Sequence, residues 1–480
     1  MNFDLDAQTR VALGMELAKF LNSYFTSLPD RPVQPPLEIR KFDSLTNAMP
    51  EQGTDPILLF KEVSKTLVDE GFHVPSANYF GLMNPTPAYM AVIAEGMVAG
   101  LNPQLATQAR QQLASKIENE TLRWLVERAG WKDEAGVAIG SGTFTSGGNE
   151  ANFSGLAMAL AYVCPESVED GVRAIEGQPV LYASEEAHHS LDKSVGLLGL
   201  GRKALCRISV DPNMHIDARN LELQIRADLR AAKKPFCIVG TLGTTNSGAI
   251  DDIVTLAVIA RKYNIWLHVD GAYGAGAMLS DKHPEIIRGV DMADSLTVDP
   301  HKWMAMPYAA GVILTRHEEM LEKTFGVHTP YMPKVDGATL VDNYLVSTQW
   351  SRRCNALKLW LTLRAHGRMG YEKHITHQLD IARAFAEKIR HSKSFELACD
   401  PDLTILNLRV KSTDMDEAEY AIVHKAIVDE VTKSGERWIS ATQICGMSVI
   451  RVMVISYLTE WRHLEALWKA MELAAGKLRK

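Results

Sequence analysis

The 480 residues are 46% hydrophobic and 23% charged, which places the chain among globular proteins with enough apolar material for a large core. The 51 basic and 58 acidic residues give a net charge of −7 without a long block of either sign, which argues against nucleic acid as a partner. Six scattered cysteines without paired or metal-finger spacing indicate reduced core residues and no metal site. We therefore expect a cytoplasmic protein, because the acidic start also lacks the features of a secretory signal and no apolar run is long enough to cross a bilayer.

The first predicted elements are two amphipathic helices at the N-terminus. The segments "VALGMELAKFLNSYF" and "DPILLFKEVSKTLVDEGF" have helical apolar spacing, and a proline-containing linker separates them. We predict an N-terminal helical arm over residues 1–85. Because these helices are too apolar to stand alone, we expect them to wrap a second copy of the chain in a homodimer.

From about residue 130, short β-branched runs such as "VLYAS", "FCIVGTLG" and "IWLHVD" alternate with amphipathic helices. This pattern predicts an α/β fold whose largely parallel sheet is covered on both faces and binds ligands beyond the carboxyl ends of its strands. We predict a large domain over residues 86–358. The later pattern of one long helix, two strands and a closing helix predicts a small C-terminal α+β domain over residues 359–480.

Three stretches at predicted strand ends carry candidate chemistry. In "TSGGNEANF", the backbone N–H groups of Gly147, Gly148 and Asn149 lie at the positive end of a helix, where they could cradle a phosphate; an ordinary glycine turn explains the stretch equally well. In "WLHVDGAYGAG", Asp270 ends an apolar strand, where a poorly solvated carboxylate needs a cation, although a turn-capping role is the simpler alternative. His268 of the same strand reads as a satisfied core histidine.

The next strand, "SLTV", leads directly into "DPHKW" and so brings Lys302 to the same sheet edge as Asp270. A lysine there would ordinarily be a solvated surface residue. A phosphate cradle, a buried carboxylate and a lysine together fit one cofactor, pyridoxal 5′-phosphate. Lys302 would hold its aldehyde covalently, and Asp270 would keep its ring nitrogen protonated, so that the ring can accept electrons.

These motifs carry a family resemblance. "SLTVDPHKW", together with "TSGGNEAN", "ASEEAHHS" and "HVDGAYG" in matching order, resembles the group II pyridoxal-phosphate-dependent amino-acid decarboxylases, which include aromatic-L-amino-acid, glutamate and histidine decarboxylases. The resemblance extends from about residue 70 to 360. It implies a large domain of the pyridoxal-phosphate-dependent transferase type (fold type I) with a mainly parallel seven-stranded sheet.

The resemblance also implies roles for individual residues. Lys302 is the residue bonded to the cofactor, Asp270 is the partner of the ring nitrogen, and Ala272 lies under the ring. His188, selected over His189 by the alignment of the preceding alanine, stacks on the ring. Thr245 lies beside the phenolic oxygen.

At the phosphate end, the resemblance assigns Gly148, Asn149 and His301 to binding, next to Gly147. It further implies that a tyrosine on a loop of the neighbouring subunit protonates the substrate Cα, and Tyr331 occupies that place. A surface-packing aromatic is the alternative for Tyr331. Relatives with phenylalanine there release aldehyde, so Tyr331 and His188 favour simple decarboxylation to an amine.

The chain departs from the animal aromatic decarboxylases at three places. Gly148-Asn149 replaces Ala-Ser, Asp299 replaces Asn, and the segment from Tyr331 to Arg352 is slightly shorter. The first change preserves a backbone cradle. Because Asp299 brings a negative charge towards a phosphate, we assign it no binding role.

The substrate stays open. Tyr79 and Phe80 align with the segment that forms the side-chain pocket, and Leu101 could contribute from the second subunit, which fits an aromatic amino acid such as DOPA, tyrosine or tryptophan. Burial in the dimer interface explains these residues equally well. An acidic substrate would need a cation at the far end of the pocket, and the sequence alone does not locate one.

Three functions therefore compete. The first is an amino-acid decarboxylase that releases amine and carbon dioxide. The second keeps the cofactor but acts as an oxygen-dependent aldehyde synthase or as a transaminase-like enzyme. The third is a cofactor-free scaffold that binds a partner, against which the presence of both Lys302 and Asp270 argues.

Overall fold

The large sheet organises the molecule. The computed structural model describes residues 4–35, 48–332 and 341–478. In this part of the chain the large sheet has seven strands: β1 (Ser141–Thr145), β2 (Pro179–Ser184), β3 (Leu205–Ile208), β4 (Lys234–Thr241), β5 (Trp266–Asp270), β6 (Ser295–Val298) and β7 (Gly311–Thr315). Their order is β1-β7-β6-β5-β4-β2-β3, and β7 runs antiparallel to both of its neighbours. The predicted mainly parallel seven-stranded sheet is confirmed.

Helices cover both faces of this sheet. The α-helices in the described ranges are α1 (Ala7–Ser27), α2 (Pro56–Asp69), α3 (Tyr89–Leu101), α4 (Gln112–Ala129), α5 (Gly148–Val163), α6 (Glu166–Glu169), α7 (Ser190–Leu197), α8 (Ala218–Arg230), α9 (Ile253–Tyr263), α10 (Met320–Phe325), α11 (Ala356–Arg390), α12 (Glu417–Thr432) and α13 (Trp461–Leu478). Strand β5 is buried at every position, as expected for a central parallel strand between two helical layers. Helix α5 packs across β4 to β7 and so brings its N-terminus to the centre of the sheet.

The C-terminal part forms a second, antiparallel sheet with its own core. Its four strands in the described residues are β8 (Phe395–Leu397), β9 (Ile405–Val410), β10 (Ser440–Ile444) and β11 (Met447–Met453), in the order β10-β11-β9-β8. Helices α12 and α13 pack on this sheet, which matches the expected small α+β unit. The boundary that we proposed at residue 358 falls in the first turn of α11, which continues through a kink at Gly367 into the small unit.

The N-terminal segment has two differently packed parts. Helices α1 and α2 pack against each other, yet neither contains a buried residue. Further on, the backbone of residues 78–80 joins the small sheet: Phe80 N–H donates to the Trp438 carbonyl (2.9 Å), and Met453 N–H donates to the Phe80 carbonyl (2.8 Å). The end of the predicted arm is therefore tied to the C-terminal unit. Among the described residues, no helix combines the length and apolar character that crossing a bilayer requires.

An ion pair between the two units makes stability depend on pH. His215 lies between β3 and α8, and its Nε2 is 2.8 Å from Asp402 Oδ2 of the small unit. The hydrogen bond to Asp402 raises the pKa of His215 to about 9, with Asp211 adding to the effect. The folded-state pKa exceeds the ordinary value of about 6.5, so the stabilisation is complete below pH 6.5 and is lost as the pH rises through 9.

We therefore expect His215→Gln to lower the free energy of unfolding by about 1 kcal/mol at pH 6 and by much less at pH 10. Urea unfolding at the two pH values measures the difference. His366, which is exposed on α11 and has no acidic partner among the described residues, supplies the control: His366→Gln should change the free energy of unfolding by the same small amount at both pH values. An equal loss at both pH values for His215→Gln would contradict the ion-pair explanation.

Candidate active site

A cavity of about 310 Å³ lies beyond the carboxyl ends of β4, β5 and β6, beside the N-terminus of α5. The nine residues that the sequence analysis assigned to cofactor binding all line it: Gly147, Gly148, Asn149, His188, Thr245, Asp270, Ala272, His301 and Lys302. They come from five separate stretches of the chain, and the parallel strands bring these stretches to one sheet edge.

The glycine turn closes one end of the cavity and leads into α5. A Cβ atom on Gly148 would lie 2.6 Å from Asp299 Oδ2, and one on Gly147 would lie 3.1 Å from His301 Cε1. A side chain at residue 148 would therefore displace the Asp299 carboxylate, and one at residue 147 would crowd His301, so both positions favour glycine in this chain. The turn stands at the start of a 16-residue helix, whose N-terminal N–H groups and dipole favour a bound phosphate.

Asp270 is held at the end of β5 by two hydrogen bonds. Its Oδ2 accepts from Asn152 Nδ2 (2.8 Å), and its Oδ1 accepts from Ala272 N–H (3.1 Å). Asn152 Oδ1 in turn accepts from Thr297 Oγ1 and contacts His268 Nε2. Burial lowers the pKa of His268 to about 4, so this histidine is a neutral, hydrogen-bonded core residue, as the sequence indicated.

Lys302 forms an ion pair inside the cavity. Its Nζ is 3.1 Å from Asp299 Oδ2, and the Asp299 side chain is only 2% exposed. Asp299 Oδ1 is buried and has no hydrogen-bond partner among the described residues. Asp299, to which we had given no binding role, thus contributes a carboxylate to the cavity and holds the Lys302 amine.

The backbone fixes the orientation of His301. Its Nδ1 accepts from Ala310 N–H (3.2 Å), which leaves the proton on Nε2, on the side that is 3.6 Å from Asp299. Burial lowers the pKa of His301, although the negative charge of Asp299 acts to raise it. The ring is therefore a neutral N–H donor at neutral pH. Such a donor beside the glycine turn suits a phosphate oxygen.

The two adjacent histidines differ in their surroundings. His188 lines the cavity, and its Nδ1 accepts from Ser190 N–H (3.1 Å). Partial burial lowers the pKa of His188, although the charge of Asp270 opposes this. His189 points to solvent with 91% of its side chain exposed and pairs with Asp192. The geometry therefore agrees with the choice of His188.

The donor set of this cavity fits pyridoxal phosphate: an amine, a buried carboxylate, a neutral N–H donor and a helix N-terminus share one space. A family model described as "Pyridoxal-dependent decarboxylase conserved domain" matches residues 36–411. The chain is a member of the pyridoxal-dependent decarboxylase family. It is accordingly a carboxy-lyase that uses pyridoxal phosphate.

Known proteins resemble this decarboxylase over nearly its whole length. It is 30% identical to an aromatic-L-amino-acid decarboxylase of Bacillus atrophaeus, over 95% of this chain and 93% of the relative. It is 25% identical to a 4-hydroxyphenylacetaldehyde synthase of Rhodiola rosea, over 96% of this chain and 93% of that relative. Its fold matches a structure of Oryza sativa TDC with PLP and tryptamine, with a TM-score of 0.92, 22% identity and full coverage of both chains.

The substrate residues expected from the sequence lie apart from the cavity of the single decarboxylase chain. Tyr79 stacks on Trp438 at 5.4 Å, and Phe80 is fully buried in the core of the small unit. Leu101 is 72% exposed at the end of α3. From the same N-terminal stretch it is Met83 that lines the cavity, a residue that the sequence analysis did not single out.

Tyr331 also lies outside the lining of this cavity. Its side chain is 70% exposed, and its ring stacks on Trp350 at 6.3 Å. Residues 333–340 of the same loop lie outside the described residues. An exposed tyrosine could reach the site of a second subunit. The single chain does not test this, so protonation of the substrate Cα by Tyr331 stays a prediction.

The decarboxylase cavity includes further residues that the sequence analysis missed or left without a role. These are Met83, Asn152, Thr241, Gly243, Tyr273 and Asp299. For Asn152 a signal existed, because a polar amide one turn into an otherwise apolar helix needs a buried partner.

Proposed function

We propose that this enzyme decarboxylates an aromatic L-amino acid to the corresponding amine and carbon dioxide. The observation that carries the proposal is the convergence of Lys302, Asp270 and the glycine turn in one cavity. The aromatic substrate is supported by the Bacillus atrophaeus relative, which matches nearly end to end. The unpaired cysteines of the described residues fit a reducing compartment, and we infer that the enzyme works in the cytosol.

Each residue has a defined task in this proposal. When bound, pyridoxal phosphate accepts the electron pair left by the broken Cα–carboxylate bond. Lys302 would hold the aldehyde carbon of the cofactor covalently, at the position where the substrate amine is to bind. Asp270, buried and oriented by Asn152, holds a proton on the ring nitrogen. His301 and the glycine turn bind the phosphate and thereby fix the position of the ring.

The proposal includes a homodimer whose subunits share each site. Six apolar residues of the α1–α2 hairpin are more than a third exposed: Val11, Met15, Leu17, Leu58, Leu59 and Leu67. An apolar hairpin of this kind needs a covering surface, and a second copy supplies it. Tyr331 of the second copy would then deliver the proton that replaces carbon dioxide at Cα.

A second candidate function, decarboxylation of an acidic amino acid, draws on Arg451. This residue is 5% exposed, and it donates to the Thr245 carbonyl (3.2 Å) and to Asn246 Oδ1 (3.0 Å). It forms no salt bridge with an acidic side chain in the described part of the chain, so a buried cation lies beside a cavity residue without a counter-charge. A substrate carboxylate would provide that charge.

A substrate panel separates these candidates. The holoenzyme is incubated with the twenty common amino acids and DOPA, and amine and carbon dioxide are measured. We expect the highest kcat/KM with tyrosine, tryptophan or DOPA. Preference for aspartate or glutamate would replace the aromatic assignment with the acidic one, and release of ammonia and peroxide would replace it with an aldehyde synthase.

The substitution Tyr331→Phe tests the role of Tyr331. We expect Tyr331→Phe to divert most turnovers to the aldehyde, with oxygen and water consumed and carbon dioxide, ammonia and hydrogen peroxide released, because the acid that protonates Cα is lost. Tyr344, which packs on the same Trp350, is the matched control, and Tyr344→Phe should still make amine. Unchanged amine production by Tyr331→Phe would exclude Tyr331 as the acid.

Mixed dimers test whether Tyr331 acts across subunits. Lys302→Ala and Tyr331→Phe chains are co-refolded and assayed for amine. If Tyr331 serves the neighbouring site, a mixed dimer contains one site with both residues intact and recovers amine production. If it serves its own site, no site is intact and the mixture produces no more amine than its parents.

A further inference from the structure

A fully buried lysine lies behind the candidate phosphate site. Lys358 belongs to the first turn of α11, and its side chain is only 1% exposed. Its ammonium donates to the carbonyl oxygens of Pro307 (3.0 Å) and Ala309 (2.9 Å) and to the Glu95 carboxylate of α3. An ammonium has three donors, so each of them has a partner here.

The two carbonyls belong to the segment that orients His301. This segment connects Lys302 to β7, and Ala310, next to the clamped Ala309, donates its N–H to His301 Nδ1. The ring of Tyr308, between the two clamped carbonyls, lies 4.5 Å from the His301 ring. A shift of this backbone would therefore change both the ring position of His301 and the nitrogen that bears its proton.

Burying the charged ammonium of Lys358 costs free energy, which indicates that this residue has a specific role. Burial lowers the pKa of its ammonium, and the Glu95 carboxylate opposes this shift, while the two carbonyls accept the remaining hydrogen bonds. An apolar side chain would pack the same space at lower cost, but it could not hold two carbonyls in place. The charge of Lys358 also helps to lower the pKa of His301, which favours the neutral ring.

We propose that Lys358 is a positioning residue for the phosphate end of the cofactor site: it fixes the Pro307 and Ala309 carbonyls so that His301 presents its Nε2–H to the phosphate. This inference rests on the proposed role of His301 in phosphate binding. Lys358 itself does not line the cavity.

The test compares pyridoxal phosphate with pyridoxal, which has the same aldehyde and ring but no phosphate. Dissociation constants of both are measured by absorbance on the full-length apoprotein. The dissociation constant of pyridoxal divided by that of pyridoxal phosphate, called the ratio below, reports the phosphate contribution. We expect Lys358→Met to weaken pyridoxal phosphate binding about tenfold and pyridoxal binding less than about twofold, as for one lost charge-assisted contact.

Two further variants keep the result interpretable. Lys358→Arg keeps a cation near Glu95 but cannot place its planar fork on both carbonyls, so it should reduce the ratio as well and decides the question if Lys358→Met fails to fold. Arg409→Met removes a largely buried cation that pairs with Glu417 in the small unit, and the ratio should stay at the wild-type value.

His301→Phe separates failure of this inference from failure of the site assignment. If His301→Phe reduces the ratio but both Lys358 variants leave it unchanged, Lys358 does not position His301. If His301→Phe leaves the ratio unchanged, the assignment of His301 to the phosphate is wrong. If each change reduces the ratio and the double variant shows no additional loss, the two residues act as one unit and the inference holds.

Discussion

Replacing Lys302 with alanine is expected to abolish the covalent capture of pyridoxal phosphate and to reduce decarboxylation by at least about 10³-fold. Lys302 is the amine that lines the cavity, and Asp299 holds it 3.1 Å away in a fixed position. The measurement is borohydride reduction of the reconstituted protein followed by peptide mass analysis. The wild-type protein should carry the reduced cofactor on the peptide that contains Lys302.

Lys262 provides the control for this experiment. It is a surface lysine, 52% exposed and paired with Glu222, so Lys262→Ala should keep both the adduct and the activity. A full adduct on another lysine in the Lys302→Ala protein, with retained amine production, would disprove the central assignment. If Lys302→Ala loses activity but unfolds like the wild-type protein, the loss is caused by the missing amine and not by misfolding.

The second large effect is expected for Asp270→Asn. The amide has nearly the shape of the carboxylate, and its single oxygen can still accept from either Asn152 or Ala272, so the protein should fold and bind the cofactor with one of the two hydrogen bonds lost. It lacks the negative charge that keeps a ring nitrogen protonated, and the ring therefore accepts electrons poorly. We expect kcat to fall by about 10²- to 10⁴-fold, with a changed absorbance spectrum of the bound cofactor.

Asp251 is the matched control for Asp270. It is equally buried, follows the neighbouring strand β4, and accepts from the Ile216 and Thr241 N–H groups at 2.8 Å. Burial raises the pKa of Asp251 to about 6, but this carboxylate does not line the cavity. Asp251→Asn should therefore reduce stability while kcat per folded molecule stays within about threefold. A comparable loss of kcat in both variants would contradict a special role for Asp270.

The sequence predicted the parts of the site that follow from local rules. Asp270 ends β5, and Lys302 lies four residues after the end of β6; both strands are buried at every position, and parallel strands bring such ends to one edge of the sheet. The glycine turn precedes a helix, where a phosphate cradle is expected. In each case the neighbours along the chain contain the information.

The remaining features depend on contacts between distant segments. Asn152 supports Asp270 from a helix that crosses beneath the sheet, and the Lys302 amine pairs with Asp299 because their shared turn folds back. For Tyr79 and Phe80 the sequence indicates aromatic residues but not the direction of their side chains: the Tyr79 ring faces Trp438, and the Phe80 ring enters the core of the small unit. Side-chain direction there depends on how residues 78–80 pair with strands more than 350 positions later in the chain, which no local pattern specifies.

The pairing of residues 78–80 with the small sheet also determines the wall of the cavity. Met83 follows this paired segment by three residues, and five residues further on Ala88 N–H donates to the Ala305 carbonyl, three positions after Lys302. Residues 78–88 thus connect the C-terminal sheet with the turn that contains Lys302. Because Met83 lines the cavity that contains Lys302, the shape of this cavity depends on a C-terminal sheet whose described residues contribute nothing to its lining.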